Sequence, residues 1–202
     1  ALNITGEVIT TPFSFVATTH ALWWNKIRPV FVDIEPTYFN MDPEKIEAAI
    51  TPQTTAILPV HVYGNPCSVD HIKKIADTYG LKVIYDAAHA FGCSHHGRMI
   101  GSFGDAEVFS FHATKFFNTL EGGAVVTNDD DLAAKTRLMK NFGFAGYDNV
   151  IYIGTNGKMN EVSAAMGLTS LESLDAFIEV NRRNYLQYRQ ELAGAPGVRL
   201  VT

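Results

Sequence analysis

The sequence predicts an α/β fold, a three-layer α/β/α sandwich around a mostly parallel sheet. Two observations carry the prediction: six short apolar runs of strand length, and stretches of helical spacing between several of them. Alternating strands and helices favour parallel pairing, because each crossover helix brings the chain back to the same end of the sheet. The expected strands are residues 7–11, 29–33, 56–60, 82–86, 107–111 and 124–127. Asp42 offers an N-cap and Pro43 a first-turn residue for a helix continuing through 44–50. Residues 68–79 form the next helix, closed by Gly80. Beyond Asp129 the pattern is helical, over 129–141 and then over a long stretch from 161 to 192. No repeat, low-complexity segment or linker is visible. Ligands of such folds bind beyond the carboxyl ends of the strands, where Asp86 and Ser110 fall.

With 202 residues, 47% of them hydrophobic and 18% charged, the chain can bury a sizeable core. A net charge of -5 argues against a nucleic-acid partner, which would call for a basic stripe. Cys67 and Cys93 are the only cysteines and lie far apart, which suggests two free thiols in a reducing cytoplasm rather than a disulfide framework or a zinc site. His95 and His96 lack a carboxylate or cysteine at ligand spacing, so no metal is expected there. No run approaches the ~20 apolar residues of a membrane span, and no basic segment followed by an apolar one opens the chain. A soluble, cytoplasmic protein is expected. The first residue is Ala1 rather than methionine, as in a processed chain or a fragment.

The chemistry concentrates in Tyr85-Asp86-Ala87-Ala88-His89-Ala90, in Ser110-Phe111-His112-Ala113-Thr114-Lys115, and in the Glu121-Gly122-Gly123 that follows. An aldehyde cofactor with a pyridine ring and a phosphate needs an amine, a carboxylate and a hydroxyl donor, and Lys115, Asp86 and Ser110 supply them. Each also has an ordinary reading. Asp86 could cap a helix starting at Ala87, Lys115 could be solvated, and Ser110 could be satisfied by its own backbone.

These segments resemble the sugar aminotransferases of the DegT family, within fold type I of the pyridoxal-phosphate enzymes, and the resemblance runs along nearly the whole chain. It implies that Lys115 forms the Schiff base with pyridoxal 5'-phosphate and moves the substrate proton, while Asp86 pairs with the ring nitrogen. Ser110 would bind the phosphate and His89 the 3'-hydroxyl. Phe15, in Pro12-Phe13-Ser14-Phe15-Val16-Ala17-Thr18, matches the aromatic that stacks on the ring; without the resemblance it would be a core residue on an apolar helix face. Gly154-Thr155-Asn156-Gly157-Lys158-Met159-Asn160-Glu161 resembles a family turn whose asparagine reaches the phosphate of the neighbouring subunit. That match puts Asn156 in the site and implies a homodimer with shared active sites. Where Gly157 and Lys158 stand, the family more often has an aromatic and an arginine. The segment 101–105 resembles a loop with a conformational role. His61 and Tyr63 end another strand, where they could line the cleft or be structural, and they are left out of the site.

By the same resemblance, residues 1–160 are most of the large cofactor-binding domain and 161–202 a helical segment leading towards a small C-terminal domain. The phosphate-cradling start of the large domain and that small domain are expected to lie outside the sequence. The implied function is transamination of a nucleotide-linked keto sugar, with glutamate or glutamine as amino donor, for surface polysaccharide or secondary metabolite synthesis. Amination of a keto cyclitol in aminoglycoside synthesis uses the same machinery. Sugar dehydrases on this fold carry histidine where Lys115 stands. From a different class, a non-catalytic binding module on this fold is the remaining alternative; a dinucleotide-binding domain would show G-x-G-x-x-G after the first strand, where Pro12-Phe13-Ser14 stands instead.

Overall fold

Val8 and Ile9 are consecutive residues of one strand and both are buried, so the sheet they belong to is covered on both faces. The structure is a computed structural model that describes residues 1–201. Its strands are β1 (Glu7–Thr10), β2 (Arg28–Phe31), β3 (Thr54–Leu58), β4 (Lys82–Asp86), β5 (Ser94–His95), β6 (Arg98–Met99), β7 (Ala106–Ser110) and β8 (Gly123–Val126). The helices are α1 (Val16–Trp24), α2 (Ile46–Ala49), α3 (Val69–Tyr79), α4 (Asp130–Met139), α5 (Glu161–Glu172) and α6 (Leu174–Leu192). They make two compact units, one of residues 1–110 and 123–158, the other of 111–122 and 159–201.

In the first unit six strands form a sheet in the order β2-β1-β3-β4-β7-β8. Every pairing is parallel except β7 with β8. Alternation along the strands builds the three expected layers. Val8 and Ala56 point to one face, where Leu22 of α1 and Ile27 cover them. Ile9, Ile57, Val83 and Tyr85 point to the other, against Ile46 of α2 and Ile72 and Ile75 of α3. Helix α3 presents Val69, Ile72, Ile75 and Ala76 as a buried stripe at helical spacing. It stops at Gly80, whose φ of 65° is the left-handed C-cap that glycine adopts without a Cβ penalty. Ile72 is fully buried, so Ile72→Ala would cost about 2–5 kcal/mol.

Four departures from the sequence reading have local causes. The helix opened by Asp42 divides into a 3-10 turn at Pro43–Lys45 and the short α2, with the Asp42 carboxylate accepting the Glu44 N–H. The long stretch after 161 breaks at Ser173 into α5 and α6. Helix α1 has no capping side chain and no single apolar stripe, since Trp23 and Trp24 are exposed, and so it carries little sequence signal. The β5–β6 hairpin turns through His96 and Gly97, both at positive φ, between strands of two residues, too short for periodicity to show.

In the second unit, the connection 111–122 packs on α5. Ser170 donates to the Asn118 carbonyl at 3.1 Å, and a Cβ on Gly167 would come within 2.8 Å of the Thr119 methyl. Helix α5 starts at Asn160, whose side chain accepts the Ser163 N–H. No residue of α6 is buried. Among the described residues no helix is long and apolar enough to cross a membrane. Thr202, the last residue of the helical segment expected from the sequence, lies outside the described residues.

Candidate active-site residues

Asp86 is the last residue of β4, and main-chain bonds fix it on one side. Its N–H donates to the Pro59 carbonyl at 2.8 Å, and its carbonyl accepts from the His61 N–H at 3.0 Å. The carboxylate points to the α1 face, where Oδ2 accepts from the Thr18 hydroxyl at 2.7 Å and Oδ1 from the Ala88 N–H at 3.1 Å. The chain after Asp86 is a turn, so this aspartate does not cap a helix at Ala87. Thr18 in turn shares a hydrogen bond with the Ser14 hydroxyl, 2.5 Å away. Thr18 is buried, and sequence reasoning missed its role. The only signal was a hydroxyl inside the aromatic segment that also carries Phe15.

Ser110 ends β7, the strand that pairs in parallel with β4, with Asp86 opposite Val108. Ser110 and Asp86 both border a cavity of about 460 Å³, otherwise lined chiefly by apolar residues such as Val8, Leu58, Ile84 and Val108. His89 lies in the turn after Asp86, its ring stacked parallel to that of Tyr63 with centroids 6.2 Å apart. Tyr63 has a φ of 52°, a left-handed conformation costly for an aromatic residue, yet 69% of it is exposed. At the adjacent Gly64, φ 87°, a Cβ would sit 2.9 Å from the His89 carbonyl oxygen.

Phe15 immediately precedes α1 and is 76% exposed, which overturns the reading of it as a core residue and leaves its ring faces accessible. Asn156 is also exposed and forms an isolated antiparallel bridge with Asn141. At the two positions that depart from the family turn, the Gly157 N–H donates to the Lys140 carbonyl at 2.8 Å. Lys158 donates to the Asn141 side chain at 3.1 Å and lies 4.5 Å from the centroid of the Phe142 ring. Lys158 is thus engaged by Asn141 and Phe142.

Lys115 belongs to the second unit, in the connection that leaves β7 at Ser110 and re-enters β8 at Gly123. Its N–H donates to the His112 carbonyl at 2.9 Å and its carbonyl accepts from the Asn118 amide at 3.2 Å. Phe111 and Phe117 pack edge to face with centroids 4.9 Å apart, and His112 lies 3.6 Å from the Glu121 carboxylate. The lysine is half-buried in a turn that is hydrogen-bonded at both ends. The structure therefore brings Asp86, Thr18 and Ser110 together around one cavity, with His89 in the adjoining turn, and sets Lys115 in an ordered connection of its own.

The profile of the DegT/DnrJ/EryC1/StrS aminotransferase family matches residues 1–202. The dTDP-4-amino-4,6-dideoxy-D-glucose transaminase of Shigella dysenteriae is 52% identical over 201 residues, an alignment covering 100% of this chain and 55% of that protein. GDP-perosamine synthase of Caulobacter vibrioides is 41% identical over 189 residues, covering 93% and 51%. Among solved structures, DesI in the presence of its TDP-sugar product superposes with a TM-score of 0.94 at 52% identity, covering 99% of this chain and 51% of DesI. Helicobacter pylori PseC, an aminotransferase of pseudoaminic acid biosynthesis, gives 0.91 at 35% identity, covering 96% and 53%. The chain spans about half the length of the curated relatives it matches. With a family profile matched from end to end, the chain belongs to the DegT/DnrJ/EryC1/StrS aminotransferase family.

Proposed function

We propose that the full-length protein is a pyridoxal-phosphate-dependent aminotransferase that places an amino group on a keto sugar carried by a nucleotide, with glutamate or glutamine as donor. The observation that carries this reading is Asp86, a carboxylate held by two donors at the end of β4 and bordering an apolar cavity beside Ser110. The residues fit such a cofactor in kind: a carboxylate for a ring nitrogen, a hydroxyl for a phosphate, an exposed aromatic for a ring face, and a lysine for an aldehyde. When bound, pyridoxal phosphate supplies that aldehyde and an electron-accepting ring. Asp86 keeps the ring nitrogen protonated, and Thr18 and the Ala88 N–H keep Asp86 aimed. Ser110 donates its hydroxyl to the phosphate, Phe15 covers a ring face, and His89 meets the 3'-hydroxyl. Lys115 would hold the cofactor through its amine and, as the free amine, would take the proton from the substrate carbon and deliver it to the cofactor's C4'. Asn156 of one protomer completes the phosphate site of a second, which makes the working unit a homodimer.

For the sugar, support comes from the relatives: two that are 52% and 49% identical are named dTDP-4-amino-4,6-dideoxy-D-glucose transaminases, and a third is named for a GDP-linked sugar. The favoured substrate is accordingly a dTDP-linked 6-deoxy sugar with its keto group at C4, rather than a cyclitol. Reduction of the cofactor-loaded full-length protein with borohydride, followed by peptide mapping, should label Lys115, and a label on Lys26, Lys82 or Lys140 would overturn the assignment. Incubation with dTDP-4-keto-6-deoxyglucose and glutamate should give an amino sugar nucleotide.

A further inference from the structure

His61 and Glu107 are both 0% exposed. The imidazole Nε2 stands 3.6 Å from the Glu107 Oε2, too far for a hydrogen bond, and neither atom has another hydrogen-bond partner among the described residues. Two buried polar groups facing each other in this way call for an explanation. An imidazolium–carboxylate ion pair is the first to consider. The hydrogen bonds argue against it, because the Cys67 N–H donates to the His61 Nδ1 at 3.0 Å. An Nδ1 that accepts carries no proton, so the network assigns a neutral ring with its one hydrogen on Nε2. Glu107 then accepts one hydrogen bond, from the Phe103 N–H at Oε1, while its Oε2 looks across 3.6 Å at the Nε2–H without being bonded to it. Both oxygens thus face N–H groups, the surroundings of a carboxylate.

The result is a buried negative charge without a cation. Among the described residues no lysine or arginine lies within 4.0 Å of the carboxylate of Glu107 or of Asp86. The surrounding groups deepen the imbalance. Burial first, then the negative charges of Glu107, Asp86 and Glu35, push the Cys67 thiol up. Burial, with Cys67, Glu107 and Asp70, does the same to the Tyr85 phenol. The neighbouring imidazole of His95 is held below its usual range, chiefly by burial, which favours its neutral form. An uncompensated buried charge is expensive, and a cation brought near it would lower that cost.

The sheet register says on which side that cation falls. Glu107 stands opposite Tyr85, and Val108 opposite Asp86. Glu107 therefore shares a sheet face with Tyr85, whose ring stacks on His61 with centroids 4.8 Å apart and 9° between planes, while the Asp86 carboxylate is on the α1 face. We propose that Glu107, oriented by His61, is a second carboxylate serving the Asp86 site from behind the sheet, where its charge favours a protonated ring nitrogen in front of Asp86. Both are positioning residues, and neither touches the bound ring. The proposal rests on the reading of Asp86 as the partner of that nitrogen.

The test compares binding of pyridoxal phosphate to the apo full-length protein with binding of its analogue bearing C–H in place of the ring nitrogen. Wild type should prefer the nitrogen-containing ring. Glu107→Gln, nearly isosteric and uncharged, should shrink that preference about five- to tenfold, the scale of one unit charge acting across a strand layer. Equal weakening of both ligands, or an unchanged preference, would overturn the proposal. Asp86→Asn separates the two ideas: a preference that survives it would sink the reading of Asp86 itself, whereas its loss there with Glu107→Gln unchanged sinks only the role of Glu107. Should Glu107→Gln fail to fold, nitrogen NMR of the histidine side chains in the wild-type apo protein decides. A neutral His61 protonated on Nε2 is expected, and an imidazolium would refute the uncompensated charge.

Discussion

Thr18→Val removes one hydroxyl and leaves the shape of the side chain nearly unchanged, which makes it a sharp test of how Asp86 is held. The Thr18 hydroxyl donates to Oδ2 of that carboxylate at 2.7 Å, and Thr18 is buried. A hydrogen bond to a charged group is worth about 1.5–3 kcal/mol, more than the ~1 kcal/mol of a neutral one. Asp86 keeps the Ala88 N–H at 3.1 Å and its main-chain bonds to Pro59 and His61, so it should stay in the strand with a carboxylate free to swing. If the whole loss is felt at the transition state, kcat/KM for amination by the full-length protein falls about ten- to a hundredfold. Thr18→Ser, which restores the donor, should recover most of it. Thermal unfolding run alongside separates loss of aim from loss of fold. Activity of Thr18→Val within about twofold of wild type, or a Thr18→Ser as poor as the valine variant, would refute the reasoning.

Asp86→Asn should still bind cofactor but lose several orders of magnitude in rate, because an amide cannot stabilise the protonated ring nitrogen; turnover within about tenfold of wild type, a gap near 1.4 kcal/mol, would reduce Asp86 to a structural role. Mixing inactive Lys115→Ala and Asn156→Ala proteins under conditions that exchange subunits should restore activity, since a shared site gathers both lesions into one half of the mixed dimer; no recovery despite verified exchange would place Asn156 within its own chain. Iodoacetamide at neutral pH should modify Cys93 slowly and Cys67 not at all until the protein unfolds, because burial pushes both thiols up and Cys67 is also inaccessible; mass spectrometry reads the two sites directly.

The sheet was largely legible in the sequence because strands buried on both faces must be apolar throughout. Val8-Ile9 and Ala56-Ile57 announce themselves whichever face each side chain takes. The ends were less legible, since apolar character runs past the ladder: Val60 continues beyond β3 only as a single bridge to Asp86. The antiparallel return of β8 was invisible, because direction is decided by the length and path of the connection and not by composition. Of the candidate site, Asp86 and Ser110 could be placed from strand ends alone. Thr18 could not, because its role depends on α1 crossing the face on which Asp86 points. His61 and Glu107 escaped for the same reason: a histidine three residues past β3 and a glutamate within β7, far apart in the chain, become neighbours only through the register of β3, β4 and β7.

The antiparallel β8 also governs how freely the lysine connection can vary. Because Ser110 and Gly123 are ladder partners, residues 111–122 form a loop whose two ends are pinned side by side by the sheet. Closing that loop is thus already accomplished by the pairing of β7 with β8. A parallel β8 would have demanded a crossover long enough to traverse the sheet, with the lysine somewhere along it. As built, the return leg of the loop is held from within: Thr119 is buried and donates through its N–H to the Phe111 carbonyl and through its hydroxyl to the Glu121 carbonyl, so a change of length near Leu120 would disturb that packing before it disturbed the strands.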